Sequence, residues 1–190
     1  MLGVYGSPRA KGNSDLMLDA LLDGAEQAGA QVKRLYLRKL VFDGCIACGG
    51  CEKTGQCVLV DDMRQVYPLL EHHRVIVLAM PMFFYGPPAI AKAFMDRAQA
   101  CWCRRALSRP REEWGRHQNG NGYLLGVGAT SGEKLFMPSE LMAKYFYDAL
   151  DMDYKGGMFF RNLDAKGVVL QKPGILHNLR QWGAYLAREG

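Results

Sequence analysis

The sequence predicts an α/β fold, a doubly wound parallel sheet with helices on both faces. Three observations predict it. Short apolar runs bounded by turn residues alternate along the chain with segments whose apolar residues recur at three- and four-residue steps. The run Arg74–Met80 is almost continuously apolar, as a strand is when both sheet faces are covered. Between the first apolar run and the first helical pattern lies a Gly/Ser/Pro/Asn-rich loop. Such a sheet binds ligands at the carboxyl ends of its strands, where strand order reverses.

The elements follow in order. Met1–Tyr5 is a short apolar run ending at Gly6, a buried strand, and the loop 6–14 follows it. Ser14 then caps a helix in which Leu18, Leu21, Leu22 and Ala25 share a face until Gly29 ends it. Gln31–Leu37 alternates as a second strand. A cysteine-rich loop spans 44–58, and Asp61 or Asp62 starts a helix through Val66, Leu69 and Leu70. Arg74–Met80 is the third strand, 81–88 a loop, and Ala89 to about Cys101 a helix with Ile90, Ala93, Phe94 and Ala98 toward the core. An insertion at about 102–121 comes next. Gly122–Thr130 reads as a fourth strand, Pro138–Leu150 as a helix with Leu141, Tyr145 and Ala149 on one face, Gly156–Phe160 as a weak fifth strand and Ile175–Ala187 as the closing helix.

With 190 residues the chain has room for one domain, and 49% apolar with 23% charged residues is ordinary for a soluble globular protein. Disordered, collagen-like and coiled-coil classes are excluded on that basis. The longest apolar candidate, 75–85, is only about half a membrane span, so a membrane partner is not expected. The start lacks a basic segment followed by an apolar run, which reads as cytoplasmic. A net charge of +5 is too diffuse to argue nucleic-acid binding. Much of the excess lies in Arg104, Arg105, Arg109, Arg111 and Arg116, against Glu112 and Glu113. That segment reads as a solvated surface insertion, with a dock for an anionic partner or a dinucleotide phosphate as the alternative. His72, His73, His117 and His177 show no catalytic spacing and read as surface or capping residues.

Four of the six cysteines, Cys45, Cys48, Cys51 and Cys57, crowd into thirteen residues. A disulfide framework suits a short secreted chain. Structural zinc usually takes two cysteine pairs set a dozen or more residues apart. Three thiolates at successive two-residue gaps can wrap three corners of a compact inorganic core, and a fourth after a short loop can close it, as in [4Fe–4S] ligand runs. Ala47, Gly49 and Gly50 leave the backbone free to bend and offer N–H groups to sulfide. Redox-active or vestigial thiols, zinc and disulfides remain the alternatives. Cys101 and Cys103 read as packing or surface residues.

The loop after the first strand carries Ser7, Arg9, Lys11, Asn13 and Ser14 immediately before a helix. Helix N–H groups, hydroxyls and a cation are the parts of a phosphate cradle. Neither the dinucleotide glycine fingerprint nor the Walker spacing is present, and a plain helix-capping turn is the alternative. Pro81, Met82, Phe83, Phe84, Tyr85 and Gly86 place aromatic groups after the third strand, where they serve as a stacking wall or as core plugs. Thr130, Ser131 and Gly132 follow the fourth strand in a small polar loop. The three loops converge at one sheet edge, and FMN has the matching phosphate, flat tricycle and hydrogen-bonding rim.

Together, Gly6-Ser7-Pro8-Arg9 with Gly12-Asn13-Ser14, then Cys45-x2-Cys48-x2-Cys51-x5-Cys57-Val58 with Asp61-Asp62-Met63, then Pro81-x-Phe83 with Lys92, Phe94, Asp96 and Arg97, resemble the iron–sulfur flavoproteins of the flavodoxin-like NADPH-dependent FMN reductase superfamily. The resemblance runs from residue 1 to about 135. It implies a single flavodoxin-like FMN-binding domain over 1–190, with five parallel strands in the order 2-1-3-4-5 and helices on both faces. It also implies FMN in the carboxyl-edge cleft, a nearby [4Fe–4S] cluster and a homo-oligomer, a dimer or tetramer. The implied activity is that of an oxidoreductase or electron carrier between a two-electron donor such as NAD(P)H and a one-electron acceptor, for instance a ferredoxin. Ser7, Arg9, Asn13 and Ser14 would hold the FMN phosphate, with Lys11 a weaker candidate. Residues 81–86 would flank the ribityl chain and ring, Thr130, Ser131 and Gly132 would face the ring, and Cys45, Cys48, Cys51 and Cys57 would ligate iron. No catalytic side chain is demanded, because the chemistry is the cofactors' own. The insertion and the bulky Phe83-Phe84-Tyr85 depart from the pattern. A cluster-free NAD(P)H-dependent FMN or quinone reductase and a non-enzymatic zinc-binding interaction protein are the competing readings.

Overall fold

The computed structural model describes residues 1–114 and 117–188. Its elements are β1 (Leu2–Tyr5), α1 (Asn13–Gln27), β2 (Lys33–Tyr36), α2 (Met63–His72), β3 (Val75–Pro81), α3 (Ala89–Asp96), α4 (Gln99–Ser108), β4 (Asn121–Val127), α5 (Met137–Ala149), β5 (Asp153–Phe160) and α6 (Pro173–Leu186). All strand pairs are parallel, and the sheet runs β2-β1-β3-β4-β5. Strand order therefore reverses between β1 and β3. Their carboxyl ends open the crevice in which doubly wound folds bind ligands.

Alternate strand residues feed two cores. Leu2, Val4, Ile76, Leu78 and Leu124 meet α2, α3 and α5 through Val66, Leu70, Phe94 and Phe146. Tyr5, Val77, Ala79, Tyr123 and Leu125 meet α1 and α6 through Leu18, Leu21, Leu22, Leu179 and Leu186. Helices α1 and α6 touch backbone to backbone. A Cβ on Gly183 would stand 1.8 Å from the Leu21 carbonyl oxygen, and one on Gly24 would stand 2.0 Å from that of Arg180.

Several boundaries differ from expectation for physical reasons. Ser14 does not cap α1; the extended Gly12 precedes the helix without a side-chain cap, and Ser14 is buried in its first turn. The helix expected over 89–101 is broken at Arg97–Ala98, and its second half continues as α4 to Ser108. The insertion thus begins inside a helix. Two of its arginines, Arg105 and Arg109, are not solvated, whereas Arg104 is partly and Arg111 largely exposed. The Arg105 side chain is 4% exposed and donates to the carbonyl (2.8 Å) and carboxylate (3.2 Å) of Asp148. Arg109 pairs with Asp151 at 2.5 Å, Arg104 pairs with Glu71, and Arg111 lies over Trp102 and Trp114. Arg116 lies outside the described residues. His117, read as a surface or capping group, bridges Asp153 (2.7 Å) and Asp148 (2.8 Å). His72 and His73 contact the carbonyls of Pro68 and Leu69 at the end of α2, as capping groups do.

On α5 the face carrying Leu141 and Tyr145 is exposed, while Ser139, Ala143, Phe146 and Tyr147 are buried. Small Ser139 and Ala143 let the helix approach the sheet. The Tyr147 hydroxyl is satisfied by donating to the Tyr123 carbonyl at 2.8 Å. β5 starts three residues before its expected position because Tyr154 stacks on Tyr147, their rings 7° from parallel. Its signal is weak because Lys155, Gly156 and Gly157 interrupt the apolar run, and its ladder with β4 slips between Gly122 and Leu124. Among the described residues no helix is long and apolar enough to cross a membrane.

Candidate functional site

A cleft of about 220 Å³ opens at the carboxyl ends of β1, β3 and β4. From the β1–α1 loop it is lined by Ser7, Arg9, Gly12, Asn13 and Ser14, and from the loop after β3 by Pro81, Met82 and Phe83. Val127, Ala129, Leu163 and Asp164 complete it, and sequence reasoning assigned a role to neither Leu163 nor Asp164.

The phosphate-cradle loop is built by local hydrogen bonds. The Ser7 hydroxyl accepts from the Arg9 N–H and contacts the Arg9 carbonyl, each at 3.1 Å. Lys11 adopts a left-handed conformation (φ 54°) that lets its N–H donate to Asp15 Oδ2 at 2.9 Å. Arg38, from the turn after β2, pairs with Asp15 at 2.9 Å and donates to the Ser7 carbonyl at 3.3 Å. Burial pushes the Asp15 carboxyl up and Arg38 opposes that rise. Arg38 and Asp15 were missed because their function depends on contacts 23 residues apart.

Arg9 is exposed and forms no ion pair among the described residues. The first-turn N–H groups of α1 have no side-chain cap, which leaves donors and the positive helix end for an anion. Asn13 stands differently from its expected role. Its amide nitrogen donates to Leu163 O (3.1 Å) and Ala165 O (2.9 Å), and its oxygen accepts from the Val169 N–H (3.3 Å). That side chain staples the 163–169 loop to α1 and is not available to a phosphate. Lys11 is exposed and outside the cleft wall.

In the aromatic loop, Phe83 and Gly86 exchange backbone hydrogen bonds of 2.8 and 3.0 Å around a two-residue turn. Phe84 and Tyr85 both have positive φ there, 50° and 64°, where Asn-Gly is ordinarily found. Phe84 is fully exposed and forms no part of the cleft wall. Tyr85 leans over the β4–α5 loop so closely that a Cβ on Gly132 would meet its hydroxyl at 2.0 Å. Thr130 and Ser131 are exposed beside it. Arg161 anchors that loop through the carbonyls of Gly132 (3.3 Å) and Glu133 (3.1 Å).

A second cavity, about 370 Å³, brings together all four clustered cysteines with Asp96, Arg97, Gln99 and Ala100 from the α3–α4 junction. Cys45 and Cys48 are exposed, Cys51 and Cys57 partly buried. Ala47 turns left-handed (φ 53°) and its N–H donates to Cys45 Sγ at 3.4 Å. The Arg97 side chain is 1% exposed and grips Asp61 with two bonds, 2.5 and 3.0 Å, plus the Asp43 carbonyl at 2.8 Å. That pairing holds the Asp61 carboxyl below its ordinary range. Arg97 Nε is buried with no partner, although the residue lines the cavity. A compact anionic group bound by thiolates would suit that orphaned donor. Among the described residues no three His, Cys, Asp or Glu side chains converge to metal-ligating geometry. The four cysteines share the cavity without converging.

Cys103, read as a packing or surface residue, packs in the core and also meets another sulfur. It is buried on α4 with its Sγ 3.6 Å from Cys51 Sγ. Burial and that neighbour push the Cys51 thiol up to about 11.

The family model for NADPH-dependent FMN reductase matches residues 1–134. An iron–sulfur flavoprotein of Archaeoglobus fulgidus is 36% identical over 96 residues, 50% of this chain and 44% of that protein. A second iron–sulfur flavoprotein of that organism is 28% identical over 165 residues, 87% of this chain and 80% of the relative. The matched segments span about half the length of the first curated relatives. Among solved structures, an NAD(P)H:quinone oxidoreductase from Methanothermobacter marburgensis superposes with a TM-score of 0.70 at 14% identity, over 97% of this chain and 94% of that one. At that identity the likeness shows the fold.

Proposed function

The chain belongs to the NADPH-dependent FMN reductase family, and from that premise we propose that it is an FMN-containing iron–sulfur oxidoreductase passing electrons from NAD(P)H to a one-electron acceptor. The observation that carries the reading is the cysteine cavity. It gathers Cys45, Cys48, Cys51 and Cys57 beside a buried guanidinium whose Nε lacks a partner. The names of the curated relatives support the same reading.

FMN supplies two-electron acceptance and one-electron release when bound, and a [4Fe–4S] cluster supplies single-electron exchange. The residues of this chain bind and orient. Arg9, the Ser7 and Ser14 hydroxyls and the first-turn N–H groups of α1 would hold the FMN phosphate. Arg38 and Asp15 fix that loop, and Phe83 with residues 81–82 walls the cleft. Tyr85 holds the 130–132 loop at its mouth. The four thiolates would bind iron, the Ala47 N–H would donate to sulfur, and Arg97 would offset the negative charge of the assembly. Exchange with a ferredoxin-like protein, assembly as a dimer or tetramer and a cytoplasmic location belong to the same proposal. The exposed Met137, Leu141 and Tyr145 of α5 support self-association.

Cys57→Ala tests the reading. The variant is expected to keep FMN and lose iron, whereas retention of a full cluster overturns the ligand set. The competing reading, a cluster-free FMN or quinone reductase, is favoured by the absence of converging ligands among the described residues. Rapid quinone turnover by iron-free protein would support it.

A further inference from the structure

We infer that Cys51 and Cys103 form a redox site of their own, a thiol pair that closes to a disulfide and withdraws Cys51 from the cysteine cavity. The disulfide rests on geometry alone; its effect on iron binding rests on the ligand set proposed above.

The two sulfurs lie 3.6 Å apart, so closure to a bond of about 2.05 Å asks for a movement of roughly 1.5 Å. The approach is fixed by the backbone. The Gly55 N–H donates to the Cys51 carbonyl at 2.8 Å, and the Gly55 carbonyl accepts from Arg104 Nε at 3.2 Å. Gly55 sits at φ 66°, and a Cβ there would meet the Arg104 Cα at 2.8 Å. The turn after Cys51 is thereby pinned to the residue after Cys103. Gln99 Nε2 contacts Cys103 Sγ at 3.5 Å and orients it. Cys101, two residues earlier, is also buried and close enough to feel the charge of Cys51, but among the described residues the sulfur hydrogen bond of Cys51 goes to Cys103.

Exposure assigns the order of events. Cys51 is partly accessible and Cys103 is buried. Cys51, as thiolate, attacks one sulfur of a low-molecular-weight disulfide RSSR; that S–S bond breaks, a Cys51–S–SR bond forms, and RSH leaves after protonation. Cys103 then loses its proton to water and attacks the Cys51 sulfur, displacing the second RSH. Two protein thiols are oxidised by two electrons and RSSR is reduced to two RSH. While the bond is closed Cys51 has no thiolate to offer iron. A dithiol reductant reverses the step.

The test uses the full chain freed of iron with a chelator and incubated with glutathione disulfide. It is then quenched in acid, alkylated under denaturing conditions and digested for mass spectrometry. The expected product is a Cys51–Cys103 linked peptide as the dominant disulfide, abolished by dithiothreitol. Cys103→Ser and Cys103→Ala are expected to stop at glutathione on Cys51. Linkage among Cys45, Cys48 and Cys57 instead, or alkylation of both Cys51 and Cys103, overturns the proposal without reliance on any variant. Ferrous iron and sulfide are then added anaerobically. The oxidised chain is expected to take up no cluster and the reduced chain to take one up. If the linked peptide forms and neither chain takes up iron, the ligand set fails while the thiol pair stands; uptake by the oxidised chain removes the proposed effect on Cys51.

Discussion

Asp61→Ala leaves the Arg97 guanidinium buried without its carboxylate. The Arg97 side chain is 1% and that of Asp61 15% exposed, and two bonds of 2.5 and 3.0 Å join them. Breaking a buried pair by removing one partner costs about 3–5 kcal/mol, because the remaining charge stays desolvated. Asp61 also accepts from the Met63 N–H at 3.0 Å at the start of α2, a hydrogen bond of about 1 kcal/mol. For a chain of this size each kcal/mol moves Tm by roughly 2–4 °C, so a fall on the order of 10 °C is expected in thermal unfolding followed by circular dichroism. Lys92→Ala provides the control. Its i,i+4 pair with Asp96 is exposed on both sides and is worth only about 0.3–0.5 kcal/mol. The pH dependence follows from the same pair. Arg97 lowers the Asp61 carboxyl from its ordinary 3.8, so near and below that value the unfolded chain binds a proton before the folded one does. The contribution is fully present above pH 3.8 and is lost as pH falls through the lower folded value. Asp148 and Asp153, both lowered with help from His117, slope the same way. The wild type minus Asp61→Ala difference should therefore shrink below pH 4, roughly. A variant as stable as the Lys92→Ala control would refute the reasoning.

Arg9→Ala is expected to weaken FMN binding by about ten- to hundredfold with unchanged Tm, read by quenching of flavin fluorescence; equal affinity would remove Arg9 from the phosphate site. Asn13→Ala should instead unfold more readily, by about 2–3 kcal/mol in urea titration, since three loop contacts, two buried and one part-buried, lose their partner. Phe84→Asn should stabilise the chain by about 1 kcal/mol, relieving a left-handed aromatic that packs on nothing; a loss of stability would mean the ring has a folded-state contact. Gly183→Ala should cost about 3 kcal/mol by forcing α6 off α1, and a neutral result would show that the helices slide apart freely.

Strands β1, β3 and β4 were legible because buried parallel strands are nearly uniform apolar runs, the strand order followed from the family resemblance, and the cradle was legible because it is local in sequence. Features made by distant partners were not. Arg105 and Arg109 read as solvent-facing until Asp148 and Asp151 are placed beside them. Asn13 reads as a phosphate donor until Leu163 and Ala165 arrive 150 and 152 residues later. Cys103 has no neighbouring motif, and its relation to Cys51 exists only once α4 lies on the cysteine loop. The buried face of α5 was not legible because large apolar residues signal burial more strongly than Ser139 and Ala143, yet that small pair is buried while Leu141 and Tyr145 are exposed.

The most direct test of the account is an anaerobic visible spectrum with iron, sulfide and FMN quantified on one sample. The account predicts one FMN and about four irons with matching sulfide per chain, and a broad shoulder across the flavin bands. A clean flavin spectrum without iron, unchanged after anaerobic reconstitution of the reduced chain, would contradict it.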